Sequence, residues 1–497
     1  MSAHDSQHRA ILQRIARKAM IERGLVPDFA PEALAQLETI RSRAQAHPEP
    51  AADPAALRDL MALPWMSIDN DDTRDLDQLT VAQAMPDGAV KILVAVADVE
   101  GTVTLDSALD QHARCNTTSV YTAGGVFPML PEALSTGLTS LNLHEERLAI
   151  VVEMVIGADG SVQASDLYRA RVRNQAKLAY DSVAAWLEGE GSMPEALAAV
   201  AGMDGNLRLQ DGAAQRMKHF RHEHGALSLE TTEAKPVFVG DQIQGLAAEG
   251  KNRAKTIIED FMIAANGVAA RFHTARHFPS IRRVVRTPRR WERIVEIAKG
   301  HGFELPSEPD ARALETFLKQ QQAADPQRFP DLSLAVIKLL GPGEYVAQAA
   351  DGVAEGHFGL AVKDYAHSTA PNRRYSDLAT QRLLKAALAG RPCPYTLPEL
   401  EALARHCTDA ENAANKVERQ VGKSAAALLL EHRIGETFDA IVTGAADKGT
   451  WARLVPLPIE GRVVQGAQGL DVGARVRVRL TAVDVEHGFI DFQAVRA

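Results

Sequence analysis

The most informative part of the sequence is SIDNDDTRDLDQL, residues 67–79, in which five of the nine positions from Asp69 to Asp77 are aspartate. Carboxylates this close together repel one another unless a cation lies among them. Oxygen ligands suit Mg²⁺, which uses a few carboxylates together with substrate phosphate oxygens. A solvated acidic loop explains the composition equally well. An EF-hand does not fit, because no glycine falls at its sixth position and no glutamate closes the loop.

The sequence before this segment predicts a small helical domain, residues 1–50. Apolar residues recur at helical spacing, with a stop at Gly24 and a new start at Pro31. Three prolines in the stretch 47–54 indicate a linker. A helix-turn-helix-like contact with nucleic acid and a plain packing role both remain open for this domain.

The remaining sequence predicts two further domains. Short β patterns alternate with helical ones over residues 51–433 without another linker of this kind, which favours one large α+β domain. Five short alternating stretches with glycine-rich turns predict a small OB-type barrel over residues 434–497. The predicted fold class is therefore α+β, with a helical N-terminal domain and a C-terminal barrel.

Composition excludes several classes of protein. The 497 residues are 46% hydrophobic and 24% charged, which is typical of a globular chain with several domains. We find no membrane-spanning run, no secretory signal and no CxxC spacing among the three cysteines, and therefore expect a cytoplasmic monomer without a membrane partner. The net charge of −9 argues against a protein that coats nucleic acid without sequence preference. A nucleic-acid site must therefore be locally basic or assisted by a metal ion.

The spacing of Asp69, Asp75 and Asp77 resembles the catalytic signature of the RNase II / RNase R family, the RNB-domain exoribonucleases. Further family motifs follow in order, among them IIEDFMIAAN at 257–266 and YAHSTAPNRRYSDL at 365–378. The resemblance covers about residues 60–433, and the barrel resembles the RNA-binding barrel of ribosomal S-one type. It implies an RNB-type catalytic domain that degrades single-stranded RNA hydrolytically, from 3′ to 5′, to nucleoside 5′-monophosphates.

The resemblance also implies residue roles at the catalytic site. Asp69, Asp75 and Asp77 would hold or position two Mg²⁺ ions about 4 Å apart, which generate hydroxide and neutralise the leaving oxygen. Asp77, Arg373 and Arg374 would be catalytic, the two guanidinium groups clamping phosphate and stabilising the transition state. Arg373 matches the catalytic arginine of the family. A surface salt bridge is the ordinary explanation of such an arginine pair.

Five residues are expected to contact RNA. Tyr180 matches a tyrosine that stacks near the 3′-terminal nucleotide, although a tyrosine capping the core is the alternative. Glu418 and, more weakly, Glu259 match family glutamates, and helix salt bridges explain them nearly as well. Phe438 and Trp451 are expected as base platforms in the barrel, or as residues that fill its interior.

Several features depart from the family pattern or leave alternatives open. Gln78 stands where the family commonly has a fourth aspartate, which favours a rival hypothesis of a catalytically weakened RNA-binding protein. Residues 225–226 are Gly-Ala where relatives place a second stacking aromatic. Six arginines in 282–293, with Trp291 among them, indicate either a basic RNA channel or a face paired with acidic neighbours. The N-terminal residues are too few for the cold-shock barrels of full-length relatives, so we expect a different RNA entry.

Overall fold

Helices and strands alternate through most of the chain. The computed structural model describes residues 8–46, 57–230, 233–326, 328–446, 449–455 and 457–495, so the predicted linker at 47–54 lies outside the described residues. The helices are α1 (His8–Glu22), α2 (Pro31–Ala46), α3 (Ala108–Asn116), α4 (Tyr180–Glu188), α5 (Glu195–Ala198), α6 (Met203–Glu223), α7 (Arg253–Ala275), α8 (Trp291–Gly300), α9 (Ala311–Ala324), α10 (Phe329–Leu340), α11 (Tyr375–Leu388) and α12 (Leu397–Leu430). Within those ranges, no helix is both long and apolar enough to cross a membrane.

The strands form one large sheet, three two-stranded sheets and a closed barrel. They are β1 (Arg58–Asp59), β2 (Met66–Asp69), β3 (Gln78–Ala84), β4 (Val90–Ala97), β5 (Val120–Thr122), β6 (Gly125–Phe127), β7 (Glu146–Ile156), β8 (Val162–Arg173), β9 (Ala176–Ala179), β10 (Glu233–Val239), β11 (Gln242–Glu249), β12 (Ser280–Val284), β13 (Glu344–Gln348), β14 (Thr437–Ala446), β15 (Gly449–Leu454), β16 (Glu460–Gln465), β17 (Arg475–Asp484) and β18 (Phe489–Val495).

The large sheet has seven strands in the order β1-β8-β7-β4-β3-β2-β9. Neighbours are antiparallel except at the two edges, where β1 and β9 run parallel to their partners. Successive side chains of the central strand β4 enter opposite apolar clusters, Leu93 and Ala95 on one face and Ile92 and Val94 on the other. Because both faces are buried, residues 92–97 form a continuous apolar run.

Helices cover both faces of this sheet. On the face of Ile92, α4, α6 and α7 pack through residues such as Leu207 and Phe261. On the other face, α2, α3, α11 and the start of α12 pack through residues such as Tyr375 and Leu400. The large domain is thus a sheet between two helical layers.

The 34-residue helix α12 connects several parts of the molecule. Helix α1 packs along its middle, where Leu12 contacts the cluster of Val417 and Val421. The turn between β5 and β6 approaches α1 so closely that a Cβ on Gly124 would lie 2.5 Å from the amide nitrogen of Gln13. The described N-terminal helices therefore pack directly on the rest of the chain.

The C-terminal residues form a closed barrel in the order β14-β15-β16-β18-β17. Its core includes Phe492, and the end of α12 adds Ala427 and Leu430 to the same cluster. Arg453 on β15 binds both carboxylate oxygens of Asp331 on α10, at 2.6 and 3.0 Å. The predicted α+β class, with N-terminal helices and a C-terminal five-stranded barrel, is confirmed.

We predict that Gly124→Ala destabilises the protein by about 1–3 kcal/mol, because the new Cβ meets backbone atoms of α1 that cannot rotate away. The matched control is Gly212→Ala in α6, where nothing lies within 4 Å of the added Cβ. That change should stabilise the helix by about 1 kcal/mol. Urea-unfolding midpoints of the two variants measure the difference, and equal midpoints would contradict the contact between α1 and the turn.

Candidate active site

The acidic segment connects β2 to β3 at one end of these two strands. Asp69 ends β2 and Asp77 directly precedes β3. The Asp69 Oδ1 accepts hydrogen bonds from the Asn70 amide at 2.7 Å and from the Thr73 hydroxyl at 3.0 Å. Lys177 Nζ, on the neighbouring strand β9, donates to the Thr73 carbonyl at 2.6 Å. These bonds hold the loop in one shape despite its charge.

Asp77 is buried, with 3% of its surface exposed. Its Oδ1 accepts the Asn372 amide at 3.0 Å, and its Oδ2 lies 3.3 Å from Arg373 Nε. Burial raises the pKa of Asp77 to about 7, although the Arg373 guanidinium lowers it. Burial also raises the pKa of Asp69 and of Asp75, again against the effect of Arg373. Arg373 therefore faces three carboxylates and Lys177 adds a positive charge near Asp69, so the cluster carries more acidic than basic groups.

This cluster fits Mg²⁺. Its donors are hard carboxylate oxygens, and a divalent cation would offset the cost of burying them. Within the part of the chain that the structure describes, no group of three or more His, Cys, Asp or Glu side chains is placed to hold a metal ion. Mg²⁺ commonly takes one or two carboxylates and completes its shell with water and substrate phosphate oxygens. One or two of Asp69, Asp75 and Asp77 could therefore hold an ion that a substrate phosphate helps to bind.

The two adjacent arginines have different surroundings. Arg373 extends towards Asp77 with 40% of its side chain exposed. Arg374 is largely buried, and its Nη2 donates to Asp377 Oδ1 at 2.7 Å. The same Asp377 oxygen accepts the Ala370 amide at 2.8 Å, which fixes the turn before α11. The geometry thus leaves Arg373 available to a phosphate and ties Arg374 to Asp377, and the expected phosphate clamp by both arginines stays a prediction.

Two tyrosines border the carboxylates. Tyr180 begins α4, and its pKa is raised by burial and by the Asp69 charge, while Arg373 lowers it. Tyr121 on β5 has its hydroxyl 3.5 Å from Asp75 Oδ2. Burial raises the pKa of Tyr121, and Arg373 lowers it. The two phenol rings therefore lie near opposite ends of the acidic loop.

Tyr121 was not predicted as a site residue. The signal available in the sequence is its place in the motif Ser-Val-Tyr at 119–121, since its contact with residue 75 cannot be read from spacing. Glu418 on α12 accepts the backbone N–H of Tyr121 at 2.8 Å. The structure therefore brings Glu418 to the hairpin that carries Tyr121, rather than directly to the aspartates.

Glu259 lies on α7 and pairs with Lys251 at 3.3 Å. Both side chains line a cavity of about 400 Å³. The other lining residues are mainly polar and come from α6, α9 and the segment 227–230; they include Gln215, Lys218, His219, Arg221, His222, Ser228, Glu230, Lys319 and Gln322. Glu259 thus makes an ion pair, as in the salt-bridge alternative, and its expected contact with RNA stays a prediction.

Gln78 begins β3 directly after Asp77. Its Oε1 is buried and, among the described residues, accepts no hydrogen bond. A buried oxygen without a hydrogen-bond partner is normally bound by a water molecule or a cation. In the segment where relatives place a second aromatic, Ala226 is buried and Ser228 donates to Glu315 at 2.7 Å. This segment contributes no aromatic ring.

The two barrel aromatics point in different directions. Trp451 pairs with Arg462 across β15 and β16, and it alternates with the buried Ala452, which places its ring on the outside of the barrel. Phe438 packs against the barrel core, and the Arg433 guanidinium covers its ring at 4.7 Å from the centroid. The geometry favours Trp451 as a base platform and the interior alternative for Phe438.

The arginine-rich segment 282–293 is paired with carboxylates. Its Trp291 is buried, and the indole Nε1 donates to the Pro306 carbonyl at 2.9 Å. The ion pairs are Arg282 with Asp364, Arg283 with Glu411, Arg286 with Glu344 and Glu355, and Arg293 with Glu296. Of the two alternatives, the paired face is the one that the geometry supports.

Comparison with known proteins agrees with this architecture. The RNB domain family model matches residues 57–390, and the RNase II-type exonuclease C-terminal S1 domain model matches residues 436–495. The chain belongs to the RNB-domain family. The predicted resemblance to RNase II and RNase R is thereby confirmed.

One curated relative of this RNB-domain chain is ribonuclease R of Escherichia coli (strain K12), which is 30% identical over 475 residues. The match covers 88% of this chain and 57% of the relative, so the chain spans just over half of that protein's length.

Solved structures share the fold. Mycoplasma genitalium RNase R, in complex with ribose methylated single-stranded RNA, has a TM-score of 0.84 at 22% identity, over 98% of this chain and 78% of that one. Yeast Ssd1, described as a pseudonuclease, has a TM-score of 0.70 at 15% identity, over 95% and 58%. Because the fold occurs in a nuclease and in a pseudonuclease, catalysis must be argued from the site.

We predict that Arg374→Ala destabilises the protein by about 3–5 kcal/mol, because it leaves the fully buried Asp377 without its cationic partner. The comparison is Arg373→Ala, which should cost less, about 1–2 kcal/mol, because Asp77, whose pKa burial raises to about 7, can take up a proton when the guanidinium is removed. Thermal and urea unfolding of the two variants measure this. Similar losses in both would contradict the separate roles of the two arginines.

Proposed function

We propose that this RNB-domain chain is a Mg²⁺-dependent hydrolytic exoribonuclease that degrades single-stranded RNA from 3′ to 5′, releasing nucleoside 5′-monophosphates. The observation that carries the proposal is the buried Asp77 carboxylate against Arg373, beside two further aspartates. Family membership supports the reaction class. A cytoplasmic location and a monomeric state stay predictions from composition.

Phosphodiester hydrolysis requires an activated water and stabilisation of negative charge on the phosphate and on the leaving oxygen. Mg²⁺ held by Asp69, Asp75 and Asp77 would supply the activation and part of that stabilisation. Arg373 keeps its Nε near Asp77 while its exposed guanidinium remains available to a phosphate oxygen. Arg374 would act through the turn that it fixes with Asp377.

The two tyrosines suit an enzyme that removes any nucleotide. Stacking tolerates every base, because every base has a π-face. We propose that Tyr121 and Tyr180 hold the terminal bases on the two sides of the acidic loop, and that Glu418 positions Tyr121 through its backbone amide. Trp451 would then stack on RNA at the barrel.

A second candidate is an RNA-binding protein with weakened catalysis. The observation that favours it is Gln78, which brings no charge to a cluster that otherwise consists of aspartates. Hydrolysis of DNA is a further outcome that the carboxylate chemistry allows, since recognition of the 2′-hydroxyl is a separate property.

One assay separates these functions. The purified chain is incubated with Mg²⁺ and a 5′-labelled oligoribonucleotide or oligodeoxyribonucleotide, and products are resolved by length. The proposed enzyme yields a ladder that shortens from the 3′ end of RNA, together with nucleoside 5′-monophosphates. RNA binding without products would favour the second candidate, and equal degradation of DNA would contradict the specificity for RNA.

We predict that Asp77→Asn lowers hydrolysis by about 10³-fold or more and leaves RNA affinity within about threefold, because the amide keeps the shape but removes a charge from the reaction centre. The control is Asp72→Asn, which makes the same charge change in an exposed part of the loop. Single-turnover rates and filter binding measure the two effects. An Asp77→Asn variant faster than a tenth of the parent rate would remove Asp77 from its proposed role.

We predict that Gln78→Asp lowers the Mg²⁺ concentration for half-maximal rate, because a carboxylate would replace the partnerless Oε1 next to Asp77. At saturating Mg²⁺ the two rates should agree within about tenfold, since the contacts of Arg373 are unchanged. Gln83→Asp, at an exposed position of β3, is the control for added charge. An unchanged half-saturation point would place Gln78 outside the metal site.

A further inference from the structure

Strand β17 of the barrel carries three arginines on its outer surface. Arg475, Arg477 and Arg479 are exposed, while the alternating Val478 and Leu480 are buried in the barrel core. Residues two apart on a strand point to the same face and are separated by about 6.7 Å. The arginines therefore form a straight row, which we call the β17 arginine row.

The β17 arginine row has little acidic compensation. Its cross-strand neighbours on β14 and β18 are mostly uncharged: Thr437, Ile441, Gln493 and Val495. The acidic neighbour is Asp439, whose Oδ1 lies 3.6 Å from Arg477 Nε in an exposed pair. Among the residues that the structure describes, neither Arg475 nor Arg479 has a carboxylate within ion-pair distance.

This arrangement differs from the other arginine clusters of the chain. Of the six arginines of 282–293, three pair with carboxylates from distant segments, and Arg293 pairs with Glu296 three residues away. The barrel sequence 434–497 contains eight acidic and seven basic residues, so it has no overall positive charge. Three of its seven basic residues are nevertheless concentrated on one strand. Three exposed arginines with one acidic neighbour, on a barrel of balanced charge, indicate an anionic partner.

The row lies on a different strand from the salt bridge that ties the barrel to α10, although the far end of β17 contacts α12. In the closed order of the barrel, β17 adjoins β14 and β18 and is next to neither β15 nor β16. The outer surface of β15 contacts the body through Arg453 and Asp331, and Trp451 lies on the same strand. The arginine row consequently faces a different side of the barrel from Trp451.

We propose that the β17 arginine row binds the phosphate backbone of single-stranded RNA outside the catalytic domain, as a second RNA contact of the barrel. Evenly spaced guanidinium groups on a straight strand suit a polymer whose phosphates recur at regular distances, and they contact phosphate without regard to base. An acidic protein surface would offer no such regular repeat. The inference rests on the proposed function, because it takes single-stranded RNA as the substrate.

The test compares the salt dependence of RNA binding. The variant R475Q/R477Q/R479Q removes the three charges and keeps side-chain length. Its matched control, R41Q/R293Q/R328Q, removes three exposed arginines that each pair with an acid three residues away. Binding of an unstructured RNA of about 30 nucleotides is measured in EDTA across a salt series, so that no hydrolysis occurs.

We expect the plot of log affinity against log salt to become less steep by about 2 in the β17 variant, since each phosphate contact on a single strand contributes about 0.7 to the magnitude of the slope. Affinity at low salt should fall about tenfold or more. The control variant and R475K/R477K/R479K should keep the slope of the parent. An unchanged slope in the β17 glutamine variant, or an equal loss in the lysine variant, would overturn the proposal.

This outcome can be told apart from failure of the proposed function. Hydrolysis of a short oligoribonucleotide with Mg²⁺ tests the catalytic site, and the β17 variant should cleave it at the parent rate. A parent that binds RNA but does not cut it would end the enzyme hypothesis and leave the slope comparison valid. Unfolding midpoints of all variants, measured alongside, test whether the exposed substitutions leave the barrel folded.

Discussion

The ion pair between Asp77 and Arg373 sets the conditions that the rest of the site must meet. A carboxylate with 3% exposure is unfavourable as an anion, and burial raises its pKa to about 7 even beside a guanidinium. The pair forms because the start of β3 and the turn before α11 meet, with the Asn372 amide bound to the carboxylate. The sheet and the helices that cover it fix both sides of this contact.

Most of the fold could be predicted from local patterns in the sequence. The acidic segment, the alternation of β and helical patterns over 51–433 and that of the barrel strands each depend on neighbours in the chain, and each was predicted. The contacts that assign roles were not predictable in this way. Arg374 is held by Asp377, whereas the Arg373 side chain is partly exposed. Tyr121 comes close to Asp75 only because the hairpin folds. The composition of 282–293 likewise does not reveal carboxylates that come from 344–411.

Helix α12 joins the two regions that would contact RNA. Glu418, in its second half, holds the hairpin of Tyr121, and Leu430, at its end, is buried in the barrel core. Their separation of twelve positions corresponds to about 18 Å of helix. Since α1 packs along the same helix, this segment is supported from the side. The barrel therefore stands at a fixed distance from the acidic cluster.

Because this distance is fixed, the length of an RNA determines which parts of the protein it can contact. A strand that fills only the catalytic domain meets Arg373 and the tyrosines, whereas a longer strand also meets the barrel. Because the barrel is tied to the body by both an apolar cluster and the Arg453 pair with Asp331, its RNA contacts cost little additional ordering when RNA binds. Contacts of this kind add affinity for long RNA without changing the contacts at the cleaved bond, so binding and chemistry can be altered separately in this chain.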